Sequence, residues 1–159
     1  MHIWTLTNWQ KNLDSEVKRR TGIRFRYESS VDPEVKRACT QFARWLRAEY
    51  YFPLRVPVYV KGSKTVRTQD GETAVGSFFE PFSYYTEPYI KIATGDYDDL
   101  QSRNGKDNAL ATILATLAHE LTHYYQWIND IQLTPKGREQ QATRYSNSVS
   151  YTHLRAHET

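Results

Sequence analysis

Two histidines and a glutamate stand close together near the middle of the chain, at His119, Glu120 and His123. In a helix, residues four apart project from the same face one turn apart, so both imidazoles can reach one metal ion. Glu120 would lie beside that ion, where its carboxylate can take a proton from an activated water. The spacing therefore predicts metal-assisted hydrolysis, with Zn²⁺ as the metal.

A tetrahedral catalytic zinc site needs a third protein ligand and keeps its fourth position open for water. In metzincins that ligand is a histidine six residues after the second one, but this chain has Asn129 there and Gln126 in place of the expected glycine. We therefore expect a carboxylate. Glu139 lies sixteen residues after the second histidine, beyond a helix break at Thr134-Pro135, and can return on the next helix. Asp130 is the alternative, although it lies near the end of the motif helix.

The region from about residue 85 to residue 147 resembles small gluzincin-type metallopeptidases, most nearly the SprT-like and ImmA-like proteins of bacteria and their mobile elements. The strings that carry the resemblance are AHELTHYYQW (residues 118–127) and GREQQATRY (residues 137–145). The ImmA-like pattern has a glycine before the second histidine, where this chain has Thr122. The resemblance implies a zincin-like fold, three zinc ligands and one general base, which are His119, His123 and Glu139, and Glu120.

The same resemblance implies hydrolysis of peptide bonds in a protein or peptide substrate by a zinc-activated water. The developing oxyanion needs a second donor, and Tyr145 or Arg144, one or two turns after Glu139, is a candidate. In zincin folds the edge of a strand pairs with the extended substrate, and we expect Tyr89–Ala93 to do so. The aromatic residues at 78–79 and 82–85 could wall the cleft, with ordinary sheet packing as the stronger expectation.

Around the motif, the sequence pattern predicts an α+β fold in one domain, residues 1–148. We expect a small, mostly antiparallel sheet packed on an N-terminal helix and on the motif helix. The N-terminal helix begins at Asp32-Pro33, and Cys39 lies on its apolar stripe as a small buried hydrophobe rather than a nucleophile. The other predicted elements are a short helix at 13–20, strands at 23–27, 55–61, 74–79 and 88–94, a polar loop at 95–106, a motif helix capped at 107–108, and a last helix begun by Thr134 and Pro135.

Composition excludes several classes of protein. Hydrophobic residues make up 39% and aromatic residues 14% of 159 residues, too many for a disordered chain. No apolar stretch is long enough to cross a membrane, and one cysteine allows no internal disulfide. With no signal-peptide pattern at the N-terminus, we expect a cytoplasmic setting. The sequence indicates no oligomeric state.

Two alternatives to a peptidase stay open at this stage. One is a catalytically silent zinc-fold module with a binding or regulatory role, although Glu120 argues against it because a structural site needs no base. The other is a DNA-associated protein that uses Lys18-Arg19-Arg20 with Arg24 and Arg26. The net charge of +3 permits a nucleic-acid partner, but no nucleic-acid motif accompanies these residues.

Residues 149–159 form a separate case. Their sequence, VSYTHLRAHET, resembles the translation of a sequencing adapter read into an open frame. We therefore expect a non-native tail after residue 148 and a natural protein that continues differently from there.

Overall fold

A four-stranded sheet with helices packed on one face forms the framework of the chain. The computed structural model describes residues 2–13 and 20–156, apart from the side chains of residues 151, 152 and 154–156. The strands are β1 (Ile23–Tyr27), β2 (Val56–Lys61), β3 (Val66–Arg67), β4 (Thr73–Ala74), β5 (Gly76–Phe79) and β6 (Tyr89–Ala93). The helices are a short 3-10 helix (Ile3–Thr5), α1 (Trp9–Asn12), α2 (Pro33–Glu49), α3 (Tyr97–Asn104), α4 (Lys106–Ile128) and α5 (Pro135–Ala156).

The sheet is mixed, with strand order β1-β2-β6-β5, and β3 and β4 form a separate hairpin. β1 pairs parallel with β2, and β2 pairs parallel with β6, while only β5 and β6 pair antiparallel in this sheet. The α+β class is confirmed, but the expectation of a mostly antiparallel sheet is wrong. α2 connects β1 to β2, and a helical crossover between neighbouring strands returns the chain in the same direction.

The N-terminal helix forms as its capping residues predict. The Asp32 carboxylate accepts a hydrogen bond from the backbone N–H of Glu34 at 2.8 Å, and Pro33 is the first helical residue. Cys39 is fully buried on the apolar face of α2, and burial raises the pKa of its thiol to about 12. The prediction that Cys39 is a packing residue is therefore confirmed.

The segment between β6 and α4 is helical, so the prediction of a polar loop at 95–106 is wrong. α3 is polar but well placed electrostatically, with Asp98 in its first turn and Arg103 in its last. The predicted cap at 107–108 is also wrong, because α4 begins at Lys106 after Gly105, whose φ of 85° favours glycine. Asn108 instead donates to the carbonyl of Asn104, one turn back.

Aromatic side chains anchor α4 to the rest of the chain. The hydroxyl of Tyr124 accepts a hydrogen bond from the Leu54 N–H at 3.0 Å, and the hydroxyl of Tyr125 donates to the carbonyl of Tyr51 at 2.9 Å. On another side of α4, the indole N–H of Trp4 donates to Oγ1 of Thr122 at 2.9 Å. Thr122 therefore holds the N-terminal 3-10 helix against α4, a contact that the glycine of the ImmA-like pattern could not make.

The last helix begins as predicted, with Pro135 in its first turn and the Thr134 hydroxyl accepting a backbone N–H three residues on at 3.0 Å. α5 continues past residue 148 without a break. Val149 is buried in the core, and the ring of His153 lies 4.8 Å from that of Phe42. The non-native origin of residues 149–159 stays a prediction. The short helix expected at 13–20 falls on residues 14–19, outside the described residues.

Among the described residues, no helix combines the length and the apolar character needed to cross a bilayer. A cytoplasmic setting stays a prediction.

Candidate metal centre

Three side chains from two helices converge at the surface of α4. His119 and His123 lie one turn apart on α4 with ring centroids 5.0 Å apart, and Glu139 reaches them from α5. Its Oε2 lies 2.9 Å from Nε2 of His119, and its Oε1 lies 3.1 Å from Nε2 of His123. One ligand atom from each residue lies within 4.8 Å of the others, so a single ion can contact all three.

The donor set suits zinc. Two imidazole nitrogens and one carboxylate are a common catalytic zinc set, and three protein ligands leave one position open. The side chain of His123 is 10% exposed, that of His119 is 25% exposed and that of Glu139 is 63% exposed. Exposure therefore rises across the three groups, and an ion held there would face solvent on the Glu139 side.

Hydrogen bonding fixes the tautomer of His123. Its Nδ1 lies 2.8 Å from Oε1 of Gln126, an amide oxygen that can only accept, so Nδ1 carries the proton. Burial lowers the pKa of His123, which favours the neutral ring. Nε2 then presents a lone pair to the Glu139 carboxylate. Two acceptors 3.1 Å apart repel each other unless a proton or a metal ion lies between them, and with the neutral ring favoured, this contact fits a metal ion.

A second layer of polar contacts holds Gln126 in place. Its amide nitrogen donates to the Arg138 carbonyl at 3.1 Å and to Oε1 of Gln141 at 2.9 Å. The Arg138 guanidinium in turn pairs with the Glu80 carboxylate at 3.0 Å, which ties α5 to the end of β5. Sequence reasoning missed Gln126, although its position three residues after His123 on the same helix face would have indicated the contact.

Glu120 is buried between α4 and β5, with 8% of its surface exposed. A Cβ atom at Gly76 would lie 3.0 Å from Oε2 of Glu120 and 2.8 Å from Cγ2 of Thr116. Gly76 therefore lets the backbone of β5 approach the carboxyl closely, a role that the sequence did not indicate. Burial, and to a lesser degree the negative charge of Glu139, raises the pKa of Glu120 to about 8. A cation bound beside it would favour the charged carboxylate.

An open cleft of about 1040 Å³ surrounds these groups. His119, Glu120 and Glu139 line it from the helices, residues 76–78 of β5 line it from the sheet, and residues 68–70 and 72 line it from the turn between β3 and β4. β1 and β5 are the two edge strands of the sheet and β5 is the one at the cleft, whereas β6 is paired on both sides, with β2 and β5. The expectation that Tyr89–Ala93 offers a free edge to a substrate is therefore wrong, and β5 holds that position instead.

Two predicted site residues lie elsewhere. Tyr145 does not reach the cleft, because six residues along a helix place it on a different side of α5 from Glu139. Its ring packs 4.4 Å from that of His2, and the Arg144 guanidinium lies 5.3 Å from the Tyr145 ring. Asp130, the alternative third ligand, adopts a φ of 50° after the end of α4 and binds the side chain of Gln132 instead.

The aromatic residues at 78–79 and 82–85 mainly pack against other side chains rather than forming a wall of the cleft. Phe78 borders the cleft but also contacts Trp127, with ring centroids 6.1 Å apart. The hydroxyl of Tyr84 donates to the Trp127 carbonyl at 2.9 Å, and Phe79 stacks on Tyr89. The packing interpretation therefore holds for these three rings. Two further aromatic residues in this run are largely exposed, Phe82 and Tyr85.

Comparison with known proteins adds no assignment. No family model matches the chain, and no significantly similar curated protein or solved structure is found. The resemblance to SprT-like and ImmA-like metallopeptidases therefore stays a prediction. The same is true of DNA association: Arg24 and Arg26 are exposed on β1, while Lys18 and Arg19 lie outside the described residues.

Proposed function

We propose that the chain is a zinc-dependent metallopeptidase that uses His119, His123 and Glu139 as metal ligands and Glu120 as general base. The observation that carries this proposal is the contact between Nε2 of His123 and the Glu139 carboxylate. When Gln126 holds the proton on Nδ1 of His123, Nε2 of His123 and Oε1 of Glu139 are both acceptors. A cation bound between them would remove their mutual repulsion. Glu120 lines the same cleft without joining this ligand set, which is where a base is needed.

The chain's own groups divide the work between them. Zinc bound at the three ligands would supply a Lewis acid that activates water and polarises a peptide carbonyl. The Glu120 carboxylate, charged once a cation is present, takes a proton from the attacking water. It then delivers that proton to the nitrogen of the leaving amine. The buried walls around Glu120 restrict its rotation and keep its carboxyl directed at the cleft.

β5 supports the choice of a peptide as substrate. Among the described residues no further strand pairs with its outer edge, and residues 76–78 line the cleft beside Glu120. Just after β5, the side chain of Gln69 binds the backbone N–H and C=O of Glu80. An extended peptide can add to such an edge through backbone hydrogen bonds, which hold it without requiring a specific side-chain sequence. A peptide bound along β5 would then pass in front of the zinc ligands.

Metal content and cleavage, measured on the same preparations, test the proposal. We expect about one zinc per wild-type chain, little zinc in Glu139→Ala, and wild-type zinc in Glu120→Gln and in the exposed control Gln140→Ala. Cleavage of a fluorogenic peptide library should be lost in Glu120→Gln and kept in Gln140→Ala. A folded wild-type chain that binds no zinc would contradict the metal site. Zinc binding without any cleavage by the wild type would favour the silent binding module.

A further inference from the structure

The sheet has a second face whose chemistry differs from that of its core face. Alternate residues of a strand point to opposite sides, and α2 and α4 pack on the side that carries Val58, Val60, Ile90 and Ile92, all fully buried. Most residues of the opposite side are half-buried or exposed, and two of them, Pro57 and Ser77, are buried. We call this side the outer face, and it comprises Arg24, Arg26, Tyr59, Lys61, Phe79, Tyr89 and Lys91.

Strand register interleaves basic and aromatic side chains on the outer face. Arg26 is paired with Tyr59 across β1 and β2, and Tyr59 is paired with Lys91 across β2 and β6. Phe79 on β5 is paired with Tyr89 on β6, and their rings stack with centroids 4.8 Å apart. The centroid of Tyr59 lies 5.9 Å from that of Tyr89. Three rings and several cations therefore share one continuous surface.

The cations of this face are largely uncompensated. Within the part of the chain that the structure describes, Arg24, Arg26 and Lys91 have no acidic partner within ion-pair distance. Lys61 forms an ion pair with Glu28, with 3.7 Å between Nζ and Oε2. The whole chain has a formal net charge of +3, so the outer face concentrates an excess of positive charge that the rest of the chain does not have.

We propose that the outer face binds single-stranded nucleic acid. Unpaired bases stack on aromatic rings that are only partly buried, as Tyr59, Phe79 and Tyr89 are, and neighbouring lysines and arginines contact the phosphates. A four-stranded sheet offers room for about two or three stacked bases. A duplex is a poorer fit, because its bases are already stacked on each other and cannot lie on the rings. An acidic peptide would pair with the cations but would bring no planar bases to the neighbouring rings.

This site is separate from the proposed metal centre. The zinc ligands lie on α4 and α5, on the side of the sheet that carries the core, whereas the outer face is built from β1, β2, β5 and β6. The proposal therefore does not rest on peptidase activity. Glu139→Ala should bind oligonucleotide as the wild type does.

Fluorescence anisotropy with the full chain tests the proposal, using labelled oligo-dT and oligo-U of about 12 nucleotides and a duplex of the same length. The charge variant is Arg26→Ala/Lys91→Ala. Its matched control is Arg44→Ala/Arg103→Ala, which removes two exposed cations from α2 and α3. The charge-conserving variant Arg26→Lys/Lys91→Arg and the ring variant Tyr59→Leu complete the set.

We expect single strands to bind in preference to the duplex at about 50 mM salt. The charge variant should bind about tenfold more weakly, with the slope of log K against log salt reduced by about 1.4, while both control pairs stay close to the wild type. Tyr59→Leu should weaken binding on the order of tenfold. If Tyr59→Leu does not fold, as judged by circular dichroism, the comparison of Arg26→Ala/Lys91→Ala with Arg44→Ala/Arg103→Ala still tests the proposal.

Three results would overturn the proposal. The first is no single-strand binding by the wild type at low salt. The second is equal binding of duplex and single strands. The third is an equal loss in Arg26→Ala/Lys91→Ala and Arg44→Ala/Arg103→Ala, which would show that net charge alone, and not this face, attracts the oligonucleotide.

Discussion

Replacing Glu120 by glutamine should stabilise the metal-free protein, and the gain should grow with pH. Glutamine keeps the size of the side chain but cannot ionise. In the folded protein the pKa of Glu120 is raised from 4.5 to about 8, and each pKa unit corresponds to about 1.4 kcal/mol. As the pH rises from 4.5 to about 8, the unfolding free energy of the wild type therefore falls by up to about 5 kcal/mol, whereas that of Glu120→Gln does not change for this reason.

The sign follows from proton binding. Between pH 4.5 and about 8 the folded wild type keeps the proton on Glu120, while the unfolded chain releases it. Unfolding then releases a proton, so rising pH favours the unfolded chain until the folded carboxyl also ionises. The stability that the protonated Glu120 side chain gives the folded wild type is fully present below pH 4.5 and is lost by about pH 8. Both proteins carry the same histidines and the same Glu139, so these titrations largely cancel in the comparison.

Urea unfolding in the presence of a chelator, followed by tryptophan fluorescence at pH 5, 6, 7, 8 and 9, provides the measurement. A constant cost of burying the amide does not affect the result, because the prediction concerns the change in the difference between pH 5 and pH 9. Glu72→Gln, which neutralises an exposed carboxylate in the same cleft, is the control and should show no comparable rise. A stability difference for Glu120→Gln that stays constant with pH would refute the burial argument.

Three further variants or reagents probe other parts of the structure. Gly76→Ala should lower both stability and cleavage, since its Cβ would displace the side chain of Glu120; thermal unfolding and peptide hydrolysis check this, and a variant that matches the wild type in both would contradict the close approach. Gln126→Leu should weaken zinc binding about 10- to 100-fold by releasing Nδ1 of His123, as measured by competition with a chromogenic chelator; unchanged affinity would show that the amide has no orienting role. The thiol of Cys39, whose pKa is about 12, should react with a disulfide reagent only as fast as the chain unfolds, and rapid labelling of the folded protein would contradict its burial.

Local sequence patterns predicted where two of the main helices begin. Asp32 and Pro33 begin α2, and Thr134 and Pro135 begin α5, which carries Glu139, because capping and a fixed proline φ act within one turn. The break before Pro135 and the length of the connection also brought Glu139 back to the histidines. These features depend on residues that are close together in sequence, so they can be predicted from a single sequence.

Contacts between segments that are distant in sequence were harder to predict from the sequence. Strand direction depends on where α2 crosses the sheet, so the parallel pairing of β1 with β2 could not be read from the alternation of either strand. The free edge at β5 depends on strand order, which also removed Tyr89–Ala93 from the role expected of it. The orientation of Tyr145 was within reach, because helical periodicity separates it from Glu139. Gly76 matters only because β5 lies against Glu120.

β6 links the two proposals and also separates them. Ile90 and Ile92 point toward the core beneath α4, while Tyr89 and Lys91 point to the outer face, so one strand supports both sites through alternate residues. Coupling between the sites would have to pass through β5 and β6, because both strands carry residues on each side of the sheet. If the strands keep their register when a surface cation is removed, the helices packed on them keep the metal ligands in place. Arg26→Ala/Lys91→Ala should therefore keep zinc, and its loss there would show that the two faces are not independent.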